Sequence, residues 1–470
     1  MDTRAAIAAI RFGLGRRPGD PIPPDPVAWL DRQLDPRLPA PPAPPGSSMA
    51  EIVAALAADR EERPQPQAQA QAQPGARRPA VDPPTPGMED RAMAPTPAGA
   101  PPPRAMPRRT QLLARAELGA WMANAITTDT PFRERLLAFW LNHFTISRSK
   151  GLVHAVAGHY AREAIRPHVV GKFSDMLLAV ARHPAMLMFL DNAQSIGPNS
   201  FAGSRQGRGL NENLAREILE LHTVTPAARY SQQDVTEFAR VLTGWSVARP
   251  QEGAGFMFRP RAHEPGDKTV LGRRFPEGEE GGVAALRFLG EHPATYRNLA
   301  TKLVRHFVAD DPPRDAVERI FSTLRDTRGD LGAASRALVR LPQAWTPPLS
   351  KIRAPQDYVV AVARALDAPP NVAERLVQST QLLGQPLWAA PAPNGWADIA
   401  GEWATPEGLL RRVEWVNGVA GFGAGRDAAA MAEAVMGPLL RAETLEAARR
   451  AGSARDALTL VLASPEFMRR

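Results

Sequence analysis

The chain has 470 residues, 44% of them hydrophobic, and a formal net charge of +8, so it can build a large core or several domains. It contains no cysteine, which excludes disulfides, a thiolate nucleophile and any Cys-ligated metal or iron–sulfur centre. Basic residues are scattered among acids without interleaved aromatics, which argues against nucleic acid as a partner, and no apolar run is long enough for a transmembrane segment.

The first part of the chain predicts short helices followed by a break. Residues 3–14 predict one helix, and Ser48 is placed to cap another over 48–61. A short apolar run, an acid at position 2 and no small-residue cleavage site argue against a secretion signal, so we expect a cytoplasmic protein. Between 64 and 109 the composition collapses into Pro, Ala, Gln, Gly and Arg, which cannot bury a core and predicts a disordered insert.

We therefore expect an N-terminal helical segment, 1–63, packing on a main α-helical domain, 110–470, with the insert 64–109 between them. The main domain shows one amphipathic helical pattern after another, which predicts an all-α, multi-helix globular body. The exception is a pair of apolar runs, 256–260 and 268–275, which predict the two strands of one small β-hairpin.

The tip of that hairpin places a histidine, two acids and a lysine close together. His263, Glu264, Asp267 and Lys268 lie within six residues. Two interpretations stay open: a lid that closes over a cleft, and a polar turn around Gly266.

The stretch 211–223 is the richest in functional groups. On a helix, at about 100° per residue, Leu214 and Ile218 face the core, and His222 projects with them. Two interpretations of the opposite arc stay open. It is either a solvated face with an internal Arg–carboxylate pair, or a buried carboxylate–amide–guanidinium cluster that lines a cleft. The polar side chains of this stretch are Asn211, Glu212, Asn213, Arg216, Glu217 and Glu220.

Two further predicted helices contain candidate functional side chains. His143 shares an apolar face with Trp140 and follows Asn142, so it is either a core histidine or a functional imidazole. Lys302 shares a face with Asn298 and His306. Only five of the 57 basic residues are lysine, which draws attention to Lys268, Lys302 and Lys351, since arginine does not replace a compact, titratable ammonium.

These motifs in combination resemble the uncharacterised bacterial family called domain of unknown function 1800. The resemblance covers nearly the whole chain except the insert, and it implies a mostly helical protein without supplying a reaction. It also implies frequent export and a genomic neighbour resembling the alkaline-phosphatase superfamily, so a partner of that kind, and export with a signal-bearing partner, stay open. The matching stretches are Arg11–Gly15, Phe139–Phe144, Asn211–Thr223, Asp234–Trp245, His263–Gly272, His292–Thr295 with Lys302, Lys351 with Pro355, and Ser464–Phe467.

Two functional hypotheses follow. The first is an enzyme with a polar Glu/Asn/Arg/His cleft, in which a divalent metal held by His, Asp or Glu stays open. The second is a helical partner or assembly protein whose polar motifs form a buried network. Convergence of Glu217, Glu220, His143, His263 and Lys302 in one pocket would favour the enzyme, and their scatter over helix faces would count against it. The candidate catalytic residues are Glu217, Glu220, His143, His263 and Lys268. The candidate binding residues are Asn142, Asn211, Glu212, Asn213, Arg216, His222 and Lys302.

Overall fold

The computed structural model describes residues 1–62, 108–206, 209–423 and 425–470. Within these ranges the chain forms 22 α-helices and two antiparallel two-stranded sheets, which confirms the predicted all-α class. The predicted insert, 64–109, lies outside the described residues except for its last two positions. Within the described ranges, no helix combines the length and the apolar character needed to cross a bilayer.

The helices follow one another along the whole described chain. The first nine are α1 Thr3–Ile7, α2 Pro26–Arg32, α3 Met49–Glu61, α4 Arg109–Thr127, α5 Pro131–His143, α6 Val153–Tyr160, α7 Phe173–Arg182, α8 Pro184–Phe189 and α9 Gly203–Gln206. The next six are α10 Asn213–Glu217, α11 Gln232–Val241, α12 Glu279–Gly290, α13 Pro293–Phe307, α14 Arg314–Asp326 and α15 Leu331–Val339. The last seven are α16 Pro355–Ala365, α17 Ala373–Leu382, α18 Ala400–Trp403, α19 Pro406–Ala420, α20 Ala428–Met436, α21 Ala442–Arg449 and α22 Ala454–Leu462.

Local chemistry sets several helix starts. Ser48 caps α3, as the sequence predicts, and the structure adds a reciprocal capping box with Glu51. Ser231 and Asp234 form the same box at the start of α11. These caps satisfy N–H groups that have no partner inside the helix.

The strands pair differently from the prediction. β1, Trp245–Val247, pairs with β2, Phe256–Phe258, so the run at 256 belongs to the strand before it. β3, Lys268–Val270, pairs with β4, Arg273–Phe275, in a separate hairpin. The prediction of one hairpin joining 256–260 to 268–275 was wrong, because each run finds a nearer partner across a shorter connection.

Three segments continue an α-helix as a π-helical turn, at Ala8–Phe12, Ala161–Ile165 and Ile218–His222. Such turns are uncommon and change which backbone carbonyls find a partner inside the helix. The third one ends the stretch 211–223, so the helix predicted there is α-helical only over its first part.

The described residues form two hydrophobic cores. The first gathers apolar side chains of α5, α7, α8 and α12 to α15, and the second gathers those of α16, α19, α20 and α22. The N-terminal turn contributes to both, because Phe12 belongs to the first core and Ile10 to the second. The seam between the two cores is where polar side chains are buried.

Phe12 packs between three aromatic rings of the first core. Its ring centroid lies 5.6 Å from that of Phe132, 5.9 Å from Phe307 and 5.3 Å from Trp345, and its side chain is fully buried. This cluster joins the N-terminal turn to α5 and α13 by contacts that are directional as well as apolar.

We expect Phe12→Ala to lower the free energy of unfolding by about 3–5 kcal/mol, because it removes a fully buried ring and leaves a cavity. Urea unfolding followed by circular dichroism measures this. The matched control is Phe201→Ala, since Phe201 is half exposed, and its effect should stay near about 0.5 kcal/mol. Equal effects of the two substitutions would contradict the described packing.

Candidate functional site

A cavity of about 350 Å³ lies along the seam between the two cores. α5 and α13 contribute its lining from the first core, and α16 and the loop 394–399 contribute from the second. Four cationic side chains and two carboxylates line it: Arg135, Lys302, Arg305 and Arg470, with Asp357 and Asp398. The lining also includes His143, His306 and Asn142.

The end of the π-helical turn supplies three consecutive backbone carbonyls to side chains around this cavity. Lys302 Nζ donates to the Leu221 carbonyl at 3.0 Å. Asn298 Nδ2 donates to the Thr223 carbonyl at 2.9 Å, and His143 Nε2 lies 3.2 Å from the His222 carbonyl. Carbonyls at a helix C-terminus lack intrahelical donors and carry partial negative charge, so they attract such groups.

These contacts fix the tautomer of His143. A carbonyl can only accept, so the hydrogen on Nε2 is donated to the His222 carbonyl. Burial and the charge of Lys302 lower the pKa of His143 well below its ordinary value, so the ring is neutral and Nδ1 is an acceptor. Lys302 Nζ lies 3.3 Å from that Nδ1 and donates to it.

Lys302 has no carboxylate at ion-pair distance among the described residues. Burial, together with the charge of Arg305, lowers its pKa to about 8. Both effects act in the same direction because desolvation and a neighbouring cation each disfavour the ammonium. A substantial fraction of this amine is therefore neutral slightly above physiological pH.

The two carboxylates that line the cavity form ion pairs with cationic side chains of the protein. Asp357 accepts from Arg135 Nη1 at 2.7 Å and lies 3.2 Å from Arg470 Nε. Although burial opposes ionisation, these arginines lower the pKa of Asp357 well below its usual range. Asp357 therefore stays ionised, and little of its charge is left for a ligand.

Asp398 is held in the same way. Its carboxylate lies 2.6 Å from His306 Nδ1 and 3.3 Å from Lys351 Nζ, and Lys351 also pairs with Asp310. Burial opposes ionisation here too, but the surrounding charges lower the pKa of Asp398 well below its usual range. Burial lowers the pKa of His306 to about 4 against the opposing effect of Asp398.

Several polar atoms of the lining residues have no partner. Arg135 Nη2 and Arg470 Nη1 are buried N–H groups without an acceptor among the described residues, and His306 Nε2 lacks a donor. Arg305 donates Nε–H to the Asp310 carbonyl at 3.3 Å, and neither of its Nη groups has an acceptor in the described chain. Unpaired buried donors destabilise a fold, and although they also occur elsewhere in the described chain, those of Arg135 and Arg470 belong to residues that line this cavity and suit a ligand that accepts hydrogen bonds.

Asn142 holds the loop that covers one side of the cavity. Its Nδ2 donates to the Trp396 carbonyl at 2.9 Å, and its Oδ1 accepts from the Trp396 N–H at 2.8 Å. Gly395, at φ +74°, comes so close that a Cβ there would lie 2.5 Å from the Asn142 carbonyl oxygen. Asn142 therefore positions the loop that carries Asp398.

The polar arc of 211–223 does not line this cavity. Glu212 accepts from Thr236 Oγ1 at 2.6 Å, Gln232 Nε2 at 2.9 Å and Arg216 Nη2 at 2.8 Å, so it joins α10 to α11. These contacts lower the pKa of Glu212, and the hydrogen bond from Thr236 makes the largest contribution. Asn211 Oδ1 accepts from the Asn213 N–H at 2.9 Å, which is a local turn contact.

Glu217 and Glu220 remain close to each other on that arc. Burial and the charge of Glu220 raise the pKa of Glu217. His222 lies on the opposite side, fully buried, with its ring centroid 5.9 Å from that of His143. Neither ring nitrogen of His222 has a partner among the described residues, and burial lowers its pKa to about 3.

The segment 263–268, which the sequence placed at a hairpin tip, lies instead in the connection that leads into β3, and it forms a second polar cluster separate from the cavity lining. His263 Nδ1 donates to the Thr243 carbonyl at 2.9 Å, and Nε2 accepts from the Gly278 N–H at 3.0 Å. Lys268 Nζ lies 3.2 Å from that Nε2 and also donates to the Glu264 carbonyl. Burial lowers the pKa of both His263 and Lys268.

The five candidates on which the convergence criterion depends therefore divide among three places. His143 and Lys302 share the cavity, Glu217 and Glu220 lie on the polar arc of 211–223, and His263 lies in the cluster before β3, so the five residues do not converge in one pocket. Sequence analysis missed Arg135, Asp357, Asp398 and Arg470. His306 and Lys351 carried a signal, through the face shared with Lys302 and through the rarity of lysine.

Within the ranges that the structure describes, no three His, Asp or Glu side chains come together in a way that could hold a metal ion.

The fold and the cavity define an all-α protein with a cation-rich internal cavity at the seam of two cores. The chain belongs to the family described as "Protein of unknown function (DUF1800)", whose sequence profile matches residues 7–469. No curated protein and no solved structure matches the chain.

The pKa of Lys302 leads to a stability prediction. The folded protein releases this proton near pH 8, whereas an unfolded lysine holds it until about pH 10.4. Between these values the unfolded chain binds more protons, so stability rises with pH. We expect wild type to gain stability relative to Lys302→Met from about pH 8 to about pH 10, with a constant difference below pH 8.

Urea unfolding of both proteins across this pH range measures the difference, in which the other titrating groups cancel. Lys172→Met is the control for loss of one positive charge, because Lys172 is half exposed. A pH-independent difference between wild type and Lys302→Met would rule out the desolvated amine.

Proposed function

We propose that the protein is an enzyme that acts on a small organic anion bound in the cavity between the two cores. One observation carries this proposal: Lys302 lacks a carboxylate partner in a cavity whose cations outnumber its carboxylates. A buried cation is usually paired, so an unpaired one in a cavity marks a place where a ligand supplies the missing charge.

The groups of the cavity suit distinct roles. Arg305, with both Nη groups free, is the group we assign to the anion. Lys302 is the group we assign to the chemistry, because its pKa is lowered toward neutral pH, and His143 positions it by accepting a hydrogen bond through Nδ1. Asn142 orients the loop 394–399 and does not take part in the chemistry.

The proposal leaves out several residues that the sequence suggested. Glu217, Glu220, His263 and Lys268 are not among the residues that line the cavity. Arg216 is paired with Glu212, and Asn211 and Asn213 contact each other locally. Among the candidates we therefore place the chemistry on Lys302, which His143 positions.

We expect Arg305→Gln to weaken the binding of small carboxylates by about tenfold or more, because a charge-assisted contact to the anion is lost. Isothermal titration calorimetry with pyruvate and with inorganic phosphate measures the affinity. The matched control is Arg297→Gln on the same helix, where Arg297 pairs with Glu318 at the surface. Equal binding by wild type and Arg305→Gln would refute the assigned anion site.

A second candidate function has its own supporting observation. The buried network of Asp357 and Asp398 with Arg135, Arg470 and Lys351 connects α5, α16 and the loop 394–399. In this alternative the protein is a helical assembly partner of a second protein, such as one resembling the alkaline-phosphatase superfamily, and the network only fixes helix packing.

We expect Asp398→Asn to lower the free energy of unfolding by about 3 kcal/mol, because it removes one of the two carboxylates that the buried cations Lys351 and Arg470 each contact. Thermal and urea unfolding measure the loss, and Asp326→Asn is the control, since Asp326 and its partner Arg325 are exposed.

The two proposed functions predict different results for a further variant, Lys302→Met. The enzyme proposal requires Lys302→Met to remove ligand-dependent stabilisation while the fold persists. The assembly alternative is favoured if Lys302→Met unfolds the protein and no small anion binds wild type.

A further inference from the structure

We propose that Lys302 Nζ is a nucleophile that forms an imine with the carbonyl carbon of a small 2-oxo acid, whose carboxylate is bound by Arg305. This inference deepens the proposed function and rests on it. It names a substrate class and a covalent step for the amine at the seam of the two cores.

The hydrogen bonds of the amine leave one position free. Lys302 donates one N–H to the Leu221 carbonyl and one to His143 Nδ1. A neutral amine has two hydrogens, so both are used and its lone pair occupies a remaining tetrahedral position. A carboxylate neighbour would hold the group as an ammonium, and none lies at ion-pair distance in the described chain.

Helix geometry places an anion-binding group near the amine. Lys302 and Arg305 are three residues apart on α13, where Cβ atoms lie about 5–6 Å from each other, and both side chains line the cavity. In a 2-oxo acid the electrophilic carbon is bonded directly to the carboxylate. One ligand of this class can therefore engage the amine through its carbonyl and the guanidinium through its carboxylate.

The step balances with the groups present. The amine nitrogen forms a bond to the carbonyl carbon, and the carbonyl π electrons move to oxygen. A water molecule carries a proton from the attacking nitrogen to that oxygen, while His143 Nδ1 keeps its hydrogen bond to the nitrogen. A second proton, from water, lets the oxygen leave as water while the nitrogen lone pair forms the C=N bond, and the hydroxide so formed takes the remaining N–H proton, which leaves a neutral imine. No oxidant or reductant is required.

Other anions use only part of this arrangement. Phosphate or a simple carboxylate can pair with Arg305, but neither offers a carbon that an amine attacks. Either anion would supply the counter-ion that Lys302 lacks, but the free lone pair of the amine, positioned by its hydrogen bond to His143 Nδ1, would then have no role. A 2-oxo acid uses both features.

The test is reductive trapping on the full chain. Wild-type protein is incubated with pyruvate and with 2-oxoglutarate, reduced with cyanoborohydride, and analysed by intact mass and peptide mapping. Five lysines in the whole chain make the assignment direct. We expect about tenfold or more adduct at Lys302 than at the half-exposed Lys150 or Lys172, with a yield that rises as pH approaches the pKa of the amine.

Two variants and a binding assay make each result informative. Lys302→Arg keeps the positive charge and should abolish the adduct, whereas Lys172→Arg should leave it unchanged. Even labelling of Lys150, Lys172 and Lys302, or an adduct that persists in Lys302→Arg, overturns the inference.

Calorimetry separates this inference from the function on which it rests. If pyruvate binds wild type, if its binding weakens in Arg305→Gln, and if no adduct forms, then the imine is overturned and the anion site stands. If pyruvate neither binds nor gives an adduct, both proposals fall.

Discussion

The contact on which the cavity depends is between the end of a π-helical turn and side chains that approach it. Leu221, His222 and Thr223 present carbonyls without helical donors, and α5 and α13 supply donors from His143, Asn298 and Lys302. Because carbonyls satisfy a lysine without neutralising it, this arrangement brings a cation into the seam and leaves its charge uncompensated. The proposed chemistry of the cavity follows from the pairing of Lys302 with a backbone carbonyl and not with a carboxylate.

The opposite side of the cavity is built on a different principle. Asp357 and Asp398 are each contacted by more than one cation, so charge is balanced there within the protein. Such a network stabilises the folded state mainly because removing one member leaves the others unpaired. The rigid, paired side therefore fixes the geometry, and the unpaired side, with Lys302 and Arg305, is left for a ligand.

The sequence predicts the part of this structure that local patterns encode. Helical periodicity gives the all-α class, and Ser48 gives a cap that the structure contains. Lys302 and His143 stand out through residue type. The role of 211–223 could not be read in this way, because its contribution to the cavity is made by backbone carbonyls, whose free partners depend on a π-helical turn. Asp398 lies in an irregular loop, and residues distant in sequence, among them Asn142 and Lys351, place it beside His306.

The enzyme and assembly hypotheses share the same buried charges and differ in what those charges require. A network that only fixes packing is most stable when every charge is paired, as Asp357 and Asp398 are. Lys302 has no carboxylate partner at the cavity, and Arg135 and Arg470, which line the same cavity, carry unpaired buried nitrogens, although such atoms also occur elsewhere in the described chain. Unpaired buried donors lower stability, and a ligand in the cavity that accepts hydrogen bonds would offset that cost. For this reason the cavity, and not the more conspicuous polar arc of 211–223, is where we place the function.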